Sequence, residues 1–123
     1  MSFGIYFKDL RKSKDKTQEE LAEAIGKSKM LISGVETGRN TSFSDEDVDK
    51  LIKVLDLSEE ESWKLRNESA RARKRLPSDV TGYLFAHEKL LVALENMADQ
   101  QLDGSHLDRI IHYAEDILNV ENN

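Results

Sequence analysis

The sequence predicts an all-α protein in which five short helices form a small domain and two longer helices follow as a hairpin. Three observations carry this reading. Of 123 residues, 34% are charged and 38% hydrophobic, with 1 proline and 6 glycines, a balance that suits amphipathic helices better than a turn-rich β fold. A hydroxyl residue stands three positions before an acid at Thr17 and Glu20, Ser44 and Asp47, Ser58 and Glu61, and Ser105 and Asp108. That spacing satisfies the orphan N–H groups at a helix start. Between these signals, apolar residues recur at intervals of three and four.

Phe3, Phe7 and Leu10 share one helical face and define a first helix over about residues 3 to 14, with Lys8, Arg11 and Lys12 on its polar side. A second helix runs from about Gln18 to Ile25, with Leu21, Ala22 and Ile25 inward, and Gly26 can then turn the chain at positive φ. A third helix begins near Ser28, holds Leu31, Ile32 and Val35 at helical spacing and ends at Gly38. The segment Arg39 to Phe43 reads as a polar loop. A fourth helix then buries Val48, Leu51, Ile52 and Leu55, and a fifth covers roughly Glu59 to Arg75 with Trp63 as its core anchor.

Leu76-Pro77 breaks the pattern, because proline lacks a donor and disfavours α geometry in the residue before it. The expected domains are therefore residues 1–76 and 77–123. In the second, Val80, Tyr83, Leu84, His87, Leu91, Leu94, Met97 and Ala98 mark one long amphipathic helix. A turn at Asp103-Gly104 leads to another bearing Leu107, Ile110, Ile111, Ala114, Ile117 and Leu118. Two helices cannot bury such stripes alone, so they are expected to pack on the first half, on a second copy of the chain, or on both. Leu84, Leu91, Leu94, Ile110, Ile111 and Ile117 are the expected dimer interface.

Charge is unevenly distributed. The net charge of −6 arises almost entirely in residues 80–123, with two Lys or Arg against eight Asp or Glu. Residues 1–57 carry ten against eleven, and residues 58–79 six against five. Acidity of the whole chain therefore does not exclude a phosphate-binding face in the first half. With no cysteine there is neither a disulfide framework nor a thiolate metal site nor a cysteine nucleophile. The opening MSFGIYFKDLRK has no basic region followed by an apolar one, and no stretch approaches a membrane span, so a cytoplasmic location without membrane contact is expected.

Enzymatic readings fail individually. His87-Glu88 begins a metalloprotease motif, but the position of its second histidine is occupied by Leu91. Three histidines, at 87, 106 and 112, have no zinc-site spacing. Ser33 lacks the glycines of a nucleophile elbow, and no glycine loop cradles phosphate. No catalytic residue, metal or cofactor is expected.

Two short helices joined by a glycine-containing turn, the second free to enter a groove, make the geometry of a DNA-reading helix-turn-helix, and TQEELAEAIGKSKMLISGVETGRN supplies it. On LRKSKDKTQEELAEAIG, ISGVETGR and KLIKVLDLS, residues 3–57 resemble the phage-repressor-like helix-turn-helix family, also called the XRE family. The resemblance implies a repressor-like five-helix domain and a double-stranded DNA partner; a homodimer is expected because one reading helix covers only a few base pairs and the apolar stripes of the second half need a partner. It places Lys29, Met30, Ser33 and Gly34 on the outward face of the third helix toward base edges, and Gln18, Ser28, Arg39 and Asn40 against phosphates. It also implies an internal ion pair between Arg11 and Glu36. Gly34 departs from the family, which often carries a long reading side chain there.

The run Arg71-Ala72-Arg73-Lys74-Arg75 reads first as a solvated face suited to a helix C-terminus, and second as an extra phosphate clamp. The leading functional expectation is a sequence-specific transcriptional regulator, a homodimeric repressor. The alternative is a protein-binding module, an antitoxin-like neutraliser or a regulator controlled by a peptide or peptidase, using the apolar faces of the second half.

Overall fold

The computed structural model describes residues 2–122, which form α1 (Phe3–Ser13), α2 (Gln18–Ile25), α3 (Lys29–Glu36), α4 (Asp45–Val54), α5 (Glu59–Ala72), α6 (Ser78–Ala86), α7 (Glu88–Asp99) and α8 (Gly104–Asn122). No strand occurs among the described residues. The chain divides into two compact units between Thr81 and Gly82, so the division falls within α6.

In the first unit, α3 packs against α1 and α2, α4 against α2, and α5 against α1 and α4. Its core holds Phe7, Leu21, Ile25, Ile32, Val35, Phe43, Leu51 and Leu65, all almost wholly withdrawn from water. Each such side chain contributes about 1.5–3 kcal/mol relative to exposure. Phe43, expected to close a polar loop, is instead a core anchor. Its ring meets Phe7 edge-on at 4.7 Å and Phe3 at 6.1 Å, the edge-to-face geometry that aromatic quadrupoles favour. The loop is polar only as far as Ser42.

Three of the four hydroxyl–acid signatures cap helices. Thr17 and Ser58 form reciprocal boxes with Glu20 and Glu61, and Ser44 Oγ accepts from the Asp47 amide at 3.2 Å. The fourth does not: α8 begins at Gly104, whose φ is +56°, and Ser105 lies inside the helix. Ser2, outside the signature, caps α1 by accepting from the Ile5 amide at 3.2 Å. Close packing of α1 on α3 depends on Gly4. A Cβ there would stand 2.5 Å from the Val35 carbonyl oxygen and 2.6 Å from that of Glu36.

Two expectations for α5 need correction. Trp63 is 61% exposed and is not a core anchor; Leu65 and Ala70 fill that role because they lie on the face turned toward the core, whereas Trp63 lies outside it. The helix also stops at Ala72, three residues early. Arg73 caps it and Lys74 takes a left-handed φ of +56°, so the chain leaves the helix before Pro77 is reached.

The long helix expected after Pro77 is two helices, α6 and α7, separated at His87, whose φ of −123° and ψ of 71° are not helical. The His87 ring lies 4.4 Å from that of Tyr83, and its Nδ1 is 2.9 Å from the Tyr83 carbonyl oxygen. Those contacts hold the break in place without glycine or proline. Within the second unit, α7 has no buried residue, and Leu94, Ile110, Ile111 and Ile117 are 40–48% exposed. Leu91 is half-buried and Leu84 is buried. As expected of two helices alone, the apolar faces of α7 and α8 remain largely open within this unit. No helix among the described residues is long and apolar enough to cross a membrane.

Candidate nucleic-acid interface

The link between α2 and α3 is set by Gly26. Its φ of +70° and ψ of 32° turn the chain out of α2, and its N–H reaches back to the carbonyls of Ala22 and Glu23. Ser28 then restarts the helix, its Oγ accepting from the Leu31 amide at 3.3 Å. Leu21, Ala22 and Ile25 of α2 and Ile32 and Val35 of α3 are buried. This packing leaves the N-terminal turn of α3 as the projecting edge: Ser28, Lys29 and Met30 are exposed, Met30 by 69%.

The opposite, C-terminal end of α3 is tied into a polar brace. Arg11 Nε donates to Glu36 Oε2 at 2.7 Å, Arg11 Nη2 donates to Glu36 Oε1 at 3.0 Å, and Arg11 Nη1 donates to the Lys16 carbonyl at 2.7 Å. Both residues of the pair are 7% exposed. Burial pushes the Glu36 carboxyl up, but the hydrogen bonds from Arg11 and Gln18, with the Arg11 charge, outweigh it and hold Glu36 below the ordinary carboxylate range. Arg11 is raised, chiefly by its hydrogen bonds to Glu36. Gln18 belongs to the same network: its Nε2 donates to Glu36 Oε1 at 3.0 Å. One amide proton is thereby committed inward, leaving the other for an outside acceptor.

Among the other expected site residues, Lys29 Nζ lies 3.2 Å from Glu19 Oε1, in a pair where both side chains are well exposed. Such a pair is easily exchanged for a stronger anion. Ser33 is half-buried, and its carbonyl accepts from Thr37 Oγ1 at 2.9 Å. Gly34 does not face outward as expected. It is buried, and a Cβ there would stand 2.5 Å from Asn40 Nδ2, so the Asn40 amide occupies the space over it. The Asn40 N–H also donates to the Gly34 carbonyl at 2.9 Å. Gly34 is thus the seat of Asn40, which is why a residue without a side chain stands there. Ser28, Met30, Gly34, Arg39 and Asn40 gather around one open cavity of about 310 Å³.

Sequence reasoning missed a neighbouring surface. A second open cleft, of about 610 Å³, joins Arg39 and Asn40 to Arg73, Lys74 and Arg75. The basic run was visible in the sequence, but its proximity to the loop rests on long-range contacts. Arg73 Nη1 donates to the Phe43 carbonyl at 3.3 Å, and the hydroxyls of Ser42 and Ser69 are 2.6 Å apart.

A two-helix unit with a glycine turn, an exposed second-helix edge and basic flanks defines a helix-turn-helix DNA-binding regulator. The comparison with known families agrees: a helix-turn-helix family model matches residues 7–62, and this domain is of the XRE helix-turn-helix type. No curated protein and no solved structure matches the chain.

Proposed function

We propose that the protein is a sequence-specific transcriptional repressor that acts as a homodimer and reads the major groove with α3. The observation that carries the reading is the exposed N-terminal edge of α3, at Ser28, Lys29 and Met30, on a helix whose other end is fixed by the buried Arg11–Glu36 pair and the Gln18 amide. In this reading Lys29 bonds guanine acceptors and Met30 touches a thymine methyl. Gln18, Ser28, Arg39 and Asn40 hold phosphates, Asn40 from its seat over Gly34, and Ser33 faces base edges.

One α3 spans only a few base pairs, and two copies about 34 Å apart multiply specificity. The exposed stripes of α7 and α8 supply the pairing surface, since a second unit with one buried apolar side chain among its described residues has little core of its own. The eight acids beyond residue 79 keep that unit off DNA. Repression follows from occupancy of a promoter.

The test is selection of bound sequences from random duplex DNA, with sedimentation of the free protein alongside. A two-fold-symmetric motif and a stable dimer are expected; no enrichment over random sequence removes the reading. The same open stripes also fit an unlike protein partner. A monomer that becomes stable only with such a partner favours the protein-binding reading over the homodimer.

A further inference from the structure

The cleft between the loop after α3 and the end of α5 brings Arg39, Thr41, Ser42, Arg73, Lys74 and Arg75 together. Arg73 is engaged, donating to the Phe43 carbonyl at 3.3 Å and to Asp45 Oδ1 at 3.4 Å. Arg39, Lys74 and Arg75 form no ion pair among the described residues. Asp45, which lines a neighbouring pocket with Arg75, is paired with Arg73. Three cations without an ion pair on the two walls of one cleft repel one another and gain from an anion between them.

One feature separates this cluster from an ordinary basic helix end. Helix-dipole complementarity accounts for cations in the last turn of α5, but not for Arg39 on the opposite wall. The left-handed φ of +56° at Lys74 is the helix-ending conformation also found at Asp15, Asp56 and Gln101, and with it Arg75 N–H closes onto the Ala70 carbonyl at 2.8 Å, fixing the backbone of the second wall.

The cleft is continuous with the proposed reading edge. Arg39 and Asn40 line both it and the cavity bounded by Ser28, Met30 and Gly34. We infer that Lys74 and Arg75, facing Arg39, form a second DNA-backbone clamp, which grips a strand on the far side of α3 from Gln18. This rests on the DNA-binding reading and adds to it a footprint reaching beyond the helix-turn-helix to the end of α5.

The experiment measures binding of the full chain to its selected duplex, and to a random duplex, by fluorescence anisotropy between 50 and 200 mM salt. The variant is Lys74→Gly with Arg75→Ala, glycine being chosen because it suits the positive φ. Each lost phosphate contact lowers the slope of log K against log salt by about 0.9, so the expected decrease is about 1–2. Affinity should fall by a similar factor for both duplexes, because backbone contacts carry no sequence information. A control removing two cations elsewhere, Lys53→Ala with Lys89→Ala, should leave the slope unchanged, and Lys74→Arg with Arg75→Lys should retain it. If the wild-type chain binds and the Lys74/Arg75 variant, still helical by circular dichroism, keeps the wild-type slope, the clamp is refuted and DNA binding stands. A loss matched by the control also refutes it, since net charge alone then explains the effect. If the wild-type chain binds neither duplex, both readings fall together.

Discussion

Replacing Glu36 with glutamine tests the brace most directly. The substitution keeps shape but leaves the Arg11 guanidinium, 7% exposed, without its anion. It also weakens two charge-assisted hydrogen bonds, at 2.7 and 3.0 Å. Breaking a buried pair on one side costs about 3–5 kcal/mol, against a total of about 5–15 kcal/mol for a domain of this kind. At about 4–8 °C per kcal/mol, Tm should fall by at least about 12 °C. The loss should be read by far-ultraviolet circular dichroism in urea, because Trp63 is already 61% exposed and its fluorescence is a poor reporter. The midpoint should drop with little change in m. The effect must also depend on pH. Because Glu36 is held below its ordinary value of 4.5, its contribution is fully present above that value and is lost as pH falls through the folded-state pKa. The gap between wild type and Glu36→Gln should therefore be constant near neutrality and close in acid. A companion variant, Arg11→Met with Glu36→Leu, should recover most of the stability, since an apolar pair of similar volume avoids desolvation. A Glu36→Gln loss below about 1 kcal/mol, or one independent of pH down to the acid transition, refutes the assignment of the brace.

Gly4→Ala should lower stability by about 1–3 kcal/mol in urea unfolding, because the new methyl meets two α3 carbonyls that cannot move independently of the helix. Lys29→Ala should weaken specific DNA binding by about 1–3 kcal/mol in anisotropy titrations and leave Tm unchanged, its one ion pair being exposed; undiminished binding removes Lys29 from the proposed site. Gly34→Ala should displace the Asn40 side chain, read as a shift of the Asn40 amide resonances, and reduce DNA affinity. Leu91→Asp should convert dimers to monomers in sedimentation and lower affinity for a two-half-site duplex; a variant that stays dimeric places the pairing surface elsewhere.

Residues 3–57 were legible because their signals are local and agree with one another. Thr17 with Glu20 marks a helix start, Gly26 its stop, and Ser28 the next start, and the structure uses each for the expected purpose. What sequence reading missed depends on partners distant along the chain. Gly34 looked like a reading position that had lost its side chain, because Asn40 folding back over it cannot be inferred from helical spacing. Phe43 looked like a loop residue, since its burial depends on Phe3 and Phe7 some forty positions earlier. The interruption at His87 lies in an unbroken apolar stripe and is held by a ring contact with Tyr83 and by hydrogen bonds of the His87 ring and backbone N–H to the Tyr83 carbonyl, which periodicity does not register. Ser105 shows the converse: the spacing of a cap is present, but the helix had already begun at Gly104.

The proposed reading helix has only 8 residues, far short of the roughly 12–15 at which an isolated helix becomes even marginally stable. Its persistence must come from tertiary packing, and the sources are on its inner side: Ile32 and Val35 in the core, Glu36 in the brace and Gly34 under Asn40. Lys29 and Met30 contribute little to that support, being exposed at the opposite edge. Substitutions at these two positions should therefore alter sequence preference at almost constant stability, whereas substitutions at Glu36 or Gly4 should weaken binding to every duplex in parallel with the fold. Screening both groups against the same panel of duplexes would separate the two behaviours, and a stability loss at Met30 as large as that at Glu36 would show that the edge of α3 is held from outside.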